Sequence, residues 1–144
     1  MQSAWHNLPT FDGVQQLPGA EYAAREVCTE ENSITGELAG AYPPIPGLTT
    51  YRRCVSVSEQ GITLRDKTDY PGTVELTLLT EQKPTPAADG FAVGTLGGIR
   101  FDTDAVAAAV APVPITDPRL RTAWPETIYK ITLHFQKMLN LELY

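Results

Sequence analysis

Histidine, cysteine, methionine and tryptophan occur only twice each in this chain, and lysine and arginine together supply 11 of its 144 residues. Two cysteines, Cys28 and Cys54, are too few for a disulfide framework. They also lack the short Cys-x-x-Cys spacing of zinc and redox sites, so both are expected to be core or half-buried thiols with no chemical role. Against 17 acidic residues the few basic ones leave a net charge of −6. Binding to DNA or RNA is excluded on that balance, because phosphate contacts need clustered Lys and Arg. Long apolar runs are missing too. The uncharged stretches Leu38 to Tyr51 and Ala105 to Thr116 contain prolines, and both fall short of the roughly 20 residues of a membrane-spanning helix. Met1-Gln2-Ser3-Ala4-Trp5 has neither the basic nor the apolar region of a signal peptide. Gly94-Thr95-Leu96-Gly97-Gly98 lacks the spacing and the following helix of a phosphate loop, and no nucleophile elbow supports a Ser-His-Asp triad.

What is present is a packable chain of 42% hydrophobic residues, rich in the β-branched types. Valine, isoleucine and threonine number 9, 7 and 17, and these residues favour a pleated, half-buried surface. Val74, Leu76 and Leu78 alternate with Glu75, Thr77 and Leu79, and Ile131, Leu133 and Phe135 alternate with Thr132 and His134. Leu139, Leu141 and Leu143 continue the odd-numbered face. That period of two predicts strands with one face on a core. Val55 and Val57, then Ile62 and Leu64, flank Ser58-Glu59-Gln60-Gly61, which predicts a hairpin. Further turns are expected at Asp12-Gly13 and at Gly97-Gly98. Irregular surface loops are expected at Ala41 to Gly47 and at Lys83 to Gly90, where prolines interrupt ladder pairing. Ala105 to Ala111 has helix propensity, but Pro112 and Pro114 truncate any helix there, so a strand or irregular edge segment is expected. With no long amphipathic helix and many short strands, residues 1–144 read as a single all-β domain, an antiparallel β-sandwich.

Few residues carry chemistry. Asp102-Thr103-Asp104, and Asp66 with Asp69, can be read as oxygen clusters for calcium or as a carboxylate pair for acid–base work. Acidic residues at turns and strand ends more often bond local backbone. His134 falls on the polar face of its strand and reads as a solvated histidine. His6 has no second His, Cys or acidic residue at ligand spacing.

The surroundings of His6 are distinctive. Trp5-His6-Asn7-Leu8-Pro9-Thr10-Phe11-Asp12-Gly13-Val14-Gln15-Gln16 resembles the His-Asn, then Asp-Gly, then Gln step in the C-terminal β domain of heparinase II/III-like polysaccharide lyases. Ile62-Thr63-Leu64-Arg65-Asp66 resembles that family's strand ending in Asp, and Val74 to Thr80 its next strand. Pro114 to Trp124 followed by Ile128-Tyr129-Lys130-Ile131 resembles the closing segment, in which a Trp precedes a strand with a basic residue. The order of these segments spans most of the chain.

The resemblance implies a parent protein that joins an N-terminal α-helical toroid to this β-sandwich and cleaves acidic, uronic-acid polysaccharides by β-elimination. It implies that the toroid supplies most of the chemistry, so the domain alone is expected to be inactive. It also implies that zinc, where the parent keeps it, is held partly by His6, with the other ligands upstream of Met1. The simpler alternative for His6 is a polar residue closing a first strand. The competing reading for the whole chain is a non-catalytic carbohydrate-binding or structural module. Such a binding module is expected to expose aromatic rings on one face, and Trp5, Trp124 and the tyrosines form no cluster in the sequence.

Overall fold

A computed structural model describes residues 3–144, so Met1 and Gln2, part of the opening segment read for a signal peptide, lie outside it. The alternating runs form strands as their period requires. Val74, Leu76 and Leu78 are the buried face of β6 (Val74–Thr80), and Ile131, Leu133 and Phe135 that of β11 (Thr127–Phe135). β6 pairs on one side with β1 (Pro9–Phe11) and on the other with β11, which in turn pairs with β10 (Ala107–Pro114). This four-stranded antiparallel sheet is one layer of the molecule.

The second layer has eight antiparallel strands. In spatial order they are β2 (Arg25–Glu30), β3 (Ser33–Glu37), β4 (Tyr51–Ser58), β5 (Gly61–Thr68), β12 (Met138–Leu143), β9 (Gly97–Phe101), β8 (Gly90–Val93) and β7 (Pro84–Ala87). The fold is the all-β antiparallel sandwich that the patterning predicts, 52% strand and 6% helical. Its core lies between the layers. Ile131, Leu133 and Phe135 face it from the small sheet, Leu139 and Leu141 from the large one, and the chain crosses between sheets at Gln136-Lys137, where Lys137 takes φ +58°. The single odd-numbered series of the sequence thus builds both walls.

The hairpin β4–β5 closes through Glu59-Gln60 as expected, with Gly61 at φ +135°, a conformation that favours glycine. Asp12-Gly13 forms the predicted tight turn, both residues at positive φ, with Phe11 and Val14 exchanging backbone hydrogen bonds. Ala105 to Ala111 runs into β10, an edge strand that tolerates Pro112 and Pro114 because an edge leaves N–H groups unneeded.

Four expectations need correction. The turn placed at Gly97-Gly98 sits earlier, at Gly94-Thr95-Leu96, and the two glycines open β9. The loop placed at Lys83 to Gly90 contains β7, again an edge strand whose prolines cost no ladder bond. The segment from Ala41 to Gly47 is irregular but not all surface, since Ala41 and Tyr42 are buried. Cys28 is exposed on edge strand β2 rather than sheltered, whereas Cys54 is half-buried, and both are free thiols.

The two layers differ in width. β1, at the margin of the small sheet, lies over β4, with Phe11 packed on Tyr51 at 5.5 Å between ring centroids. β3 and β2 project beyond it. Across β12, β5, β4 and β3 the paired residues Leu141, Leu64, Val55 and Ile34 share the inner face. Exposure rises along that row from 0% at Leu141 to 47% at Ile34. The apolar face therefore outruns its cover.

Candidate functional site: an aromatic cleft above a buried ion pair

The outer face of the small sheet carries a cleft of about 710 Å³. Its floor is Leu79 of β6 and Ile128 of β11, residues that point away from the core by alternation. One wall is the start of the chain: Trp5, which ends a single 3-10 turn (Ser3–Trp5), then His6, Asn7 and Leu8. The opposite wall is the connection between β10 and β11, which brings Ile115, Leu120 and Trp124.

Each wall is tied down. The backbone N–H of Ala4 donates to the Gln15 side chain at 3.2 Å, so the Gln step beyond the Asp12-Gly13 turn reaches back to the opening segment. Lys130 Nζ lies 5.4 Å from the centre of the Trp5 ring, an attraction between ammonium and indole face, and 3.6 Å from Glu75. The far wall is a loop pinned at its neck, where Ile115 N–H donates to the Glu126 carbonyl at 2.8 Å. Within it Trp124 N–H donates to the Leu120 carbonyl at 2.8 Å, and Arg121 donates to the Trp124 carbonyl and to the Glu126 carboxylate. Trp5 and Trp124 are nevertheless 42% and 43% exposed, so both indoles face solvent across the cleft.

Beneath the near wall lies a charged network that the sequence reading missed. Arg53 of β4 donates Nε to Asp66 Oδ1 at 2.7 Å and Nη2 to Oδ2 at 2.6 Å. Its third nitrogen, Nη1, donates to the Asn7 carbonyl at 2.5 Å. Tyr51 donates its hydroxyl to Asp66 Oδ2 at 2.5 Å, and Tyr42 donates to the Pro9 carbonyl at 2.5 Å. Burial, and next the Asp66 charge, push the Tyr51 phenol well above its ordinary value, and burial does the same for Tyr42. For Arg53 burial works against the charged form, but the Asp66 hydrogen bonds and charge outweigh it and hold the guanidinium protonated. A signal for this pair is in the sequence. Tyr51, Arg53, Val55 and Val57 share one face of β4, and Ile62, Leu64, Asp66 and Thr68 one face of β5, so a cation and an anion occupy inward positions in facing register.

The other acidic candidates hold backbone. The Asp102 carboxylate accepts from Asp104 N–H and Ala105 N–H. Asp69, exposed, accepts from Thr49 and Thr50, far from any role beside Asp66. Burial, the largest single influence, raises its pKa, but the hydrogen bonds from Thr49 and Thr50 together prevail and lower it. His134 stands on the outer face of β11, its Nε2 3.4 Å from Glu75 Oε2. His6 is exposed at the rim of the cleft.

A structural zinc ion needs about four nitrogen, sulfur or oxygen donors. The cleft offers His6 but no carboxylate, thiolate or second imidazole, and among the described residues no three His, Cys, Asp or Glu side chains come together. The described residues of this chain alone do not fit zinc. No family model matches the chain, and no curated protein matches it.

Proposed function

We propose that this chain is the C-terminal β-sandwich domain of a heparinase II/III-like protein, the whole of which cleaves uronic-acid polysaccharides by β-elimination, the domain itself being non-catalytic. One observation supports this reading above others: the segments that carry the resemblance meet in space. Trp5-His6-Asn7 from the opening segment and Trp124 from the closing one share a cleft, Lys130 reaches the Trp5 ring, and Arg53 links Asn7 to Asp66. Residues scattered over the length of the chain thus form one connected network, open to solvent at the cleft and buried at Asp66.

The elimination requires a base for the C5 proton of the uronate, a group that neutralises its carboxylate, and an acid for the leaving oxygen. Around the cleft this chain presents one imidazole, the exposed side chain of Asn7 and apolar surface. These do not make up that set, so the reacting groups are the toroid's, and Arg53 orders the backbone beside His6 through the Asn7 carbonyl. Zinc in the parent belongs to this proposal only with ligands from outside the chain, His6 being the one ligand that the resemblance assigns here.

The test is a longer protein that includes the sequence preceding this chain, assayed on heparin, heparan sulfate and alginate by the ultraviolet absorbance of the unsaturated uronate product. Activity in the long protein and none in residues 1–144 is expected. An unrelated domain in the preceding sequence, or equal activity of the short chain, overturns the reading.

A further inference from the structure

We infer that the cleft between Trp5 and Trp124 is a binding subsite for a neutral pyranose ring, in which an uncharged oligosaccharide stacks on the two indoles. The inference does not rest on the lyase reading, since it follows from the lining of the cleft alone.

The lining is chemically narrow. Two half-exposed indoles and the apolar side chains of Leu8, Leu79, Ile115, Leu120 and Ile128 make most of the surface. The polar exceptions, His6 and Asn7, are exposed at one rim. A ligand suited to this must be amphipathic, with one flat apolar face and a polar edge. A pyranose ring has that form. Its polarised axial C–H groups oppose the negative face of an indole, and its hydroxyls stay at the margin within reach of His6, Asn7 and the indole N–H. The volume of about 710 Å³ lies inside the roughly 300–1,000 Å³ common for small-ligand sites.

Charge decides which sugars. No Lys, Arg, Asp or Glu lines the cleft. The nearby cations are already engaged, Lys130 by the Trp5 ring and Glu75, and Arg121 by the Trp124 carbonyl and Glu126. No Lys or Arg in the lining is there to neutralise a carboxylate or a sulfate, and the chain as a whole carries −6. The subsite therefore takes neutral residues and disfavours uronates. The site is also preorganised: Lys130 steadies one indole, and the pinned loop between β10 and β11 steadies the other, so little ordering remains at binding.

Trp5 and Trp124 are the only tryptophans of the chain, so emission excited at the red edge, where the tyrosines do not absorb, reports on this cleft. Residues 1–144 are titrated with cellohexaose, mannohexaose and xylohexaose, and separately with a hexameric alginate oligouronate. A saturable shift in emission is expected with at least one neutral sugar, at a dissociation constant on the order of 1 mM, and about tenfold weaker binding of the oligouronate. Trp124→Ala and Trp5→Ala each leave one reporter indole and should weaken binding roughly tenfold, given what a lost aromatic contact costs, whereas Trp124→Phe should retain most of it. Circular dichroism confirms that each variant is folded. No saturable change with any neutral hexasaccharide, an unaltered response in folded Trp124→Ala, or tighter binding of the oligouronate would overturn the inference. So would a longer protein in which acrylamide no longer quenches the two indoles, because protein would then fill the cleft. None of these results depends on lyase activity, so the two readings fail separately.

Discussion

Arg53 and Asp66 face each other in register on β4 and β5 and are joined by two parallel hydrogen bonds, with 11% of the Arg53 side chain and none of Asp66 exposed. Breaking such a pair from one side leaves the other charge buried alone, at a cost of about 3–5 kcal/mol, whereas replacing both members by apolar residues is often neutral. Arg53→Met is expected to lower stability by about that amount in urea denaturation, and Arg53→Met with Asp66→Leu to recover most of the loss. A double variant no more stable than the single one would show that the pair itself, rather than the orphaned charge, sets the cost.

The alkaline limb of stability follows from the phenols beside that pair. A raised tyrosine pKa means that the folded state keeps its proton while the unfolded chain, ionising near about pH 10, does not. The unfolded state then binds fewer protons, so stability is fully present below about pH 10 and falls as pH rises beyond it. Denaturant midpoints measured across that range should decline, and Tyr42→Phe should make the decline shallower. A midpoint independent of pH above about 10, the ordinary phenol value, would contradict the burial of these hydroxyls.

Phe11 occupies the junction of the two layers, edge-on to Tyr42, Tyr51 and Tyr70 at 5.0, 5.5 and 5.2 Å. Removing a fully buried ring that closes three such contacts is expected to cost about 3–5 kcal/mol in Phe11→Ala. The same change should loosen the opening segment, readable as faster amide exchange at Leu8 and Phe11, because β1 is only three residues long.

The sheets were legible in the sequence where alternation was strong, as in β6, β11 and β12, and where turn chemistry was explicit, as at Asp12-Gly13 and Glu59-Gln60. Edge strand β7 was hidden because Pro84 and Pro86 look like loop residues unless the strand is known to be an edge. The Arg53–Asp66 pair was readable only once β4 and β5 were set in register. The cleft was not legible at all. Trp5 and Trp124 lie at opposite ends of the chain, and only the pairing of β1 with β6 and of β6 with β11 brings their neighbours together.

The uneven width of the layers predicts an uneven response to mutation. Leu141→Ala, at the covered end of the inner row, is expected to cost about 2–5 kcal/mol through lost contacts and a residual cavity. Ile34→Thr, at the open end of the same row, should change stability by no more than about 0.5 kcal/mol in the isolated chain. Equal losses would mean that the face beyond β4 is covered in solution.

His6 gives the last prediction. A lone imidazole in an uncharged cleft forfeits most of a coordination free energy that reaches roughly 10–16 kcal/mol in a complete structural site. Residues 1–144 should therefore retain no stoichiometric zinc after dialysis, by elemental analysis. If the parent holds zinc through His6 and ligands from outside the chain, the long protein should retain it and His6→Ala should release it. The imidazole must also be aimed by a hydrogen bond at its second nitrogen, whereas Arg53 on the Asn7 carbonyl and Leu8 N–H on the His6 carbonyl at 2.7 Å order only the backbone that carries it. Arg53→Met in the long protein should then loosen that backbone and weaken zinc retention without touching a ligand. Equal zinc in the parent and in its His6→Ala variant would return His6 to a plain polar residue, although one in the turn before β1 rather than one closing a first strand as expected, with Arg53 serving stability alone.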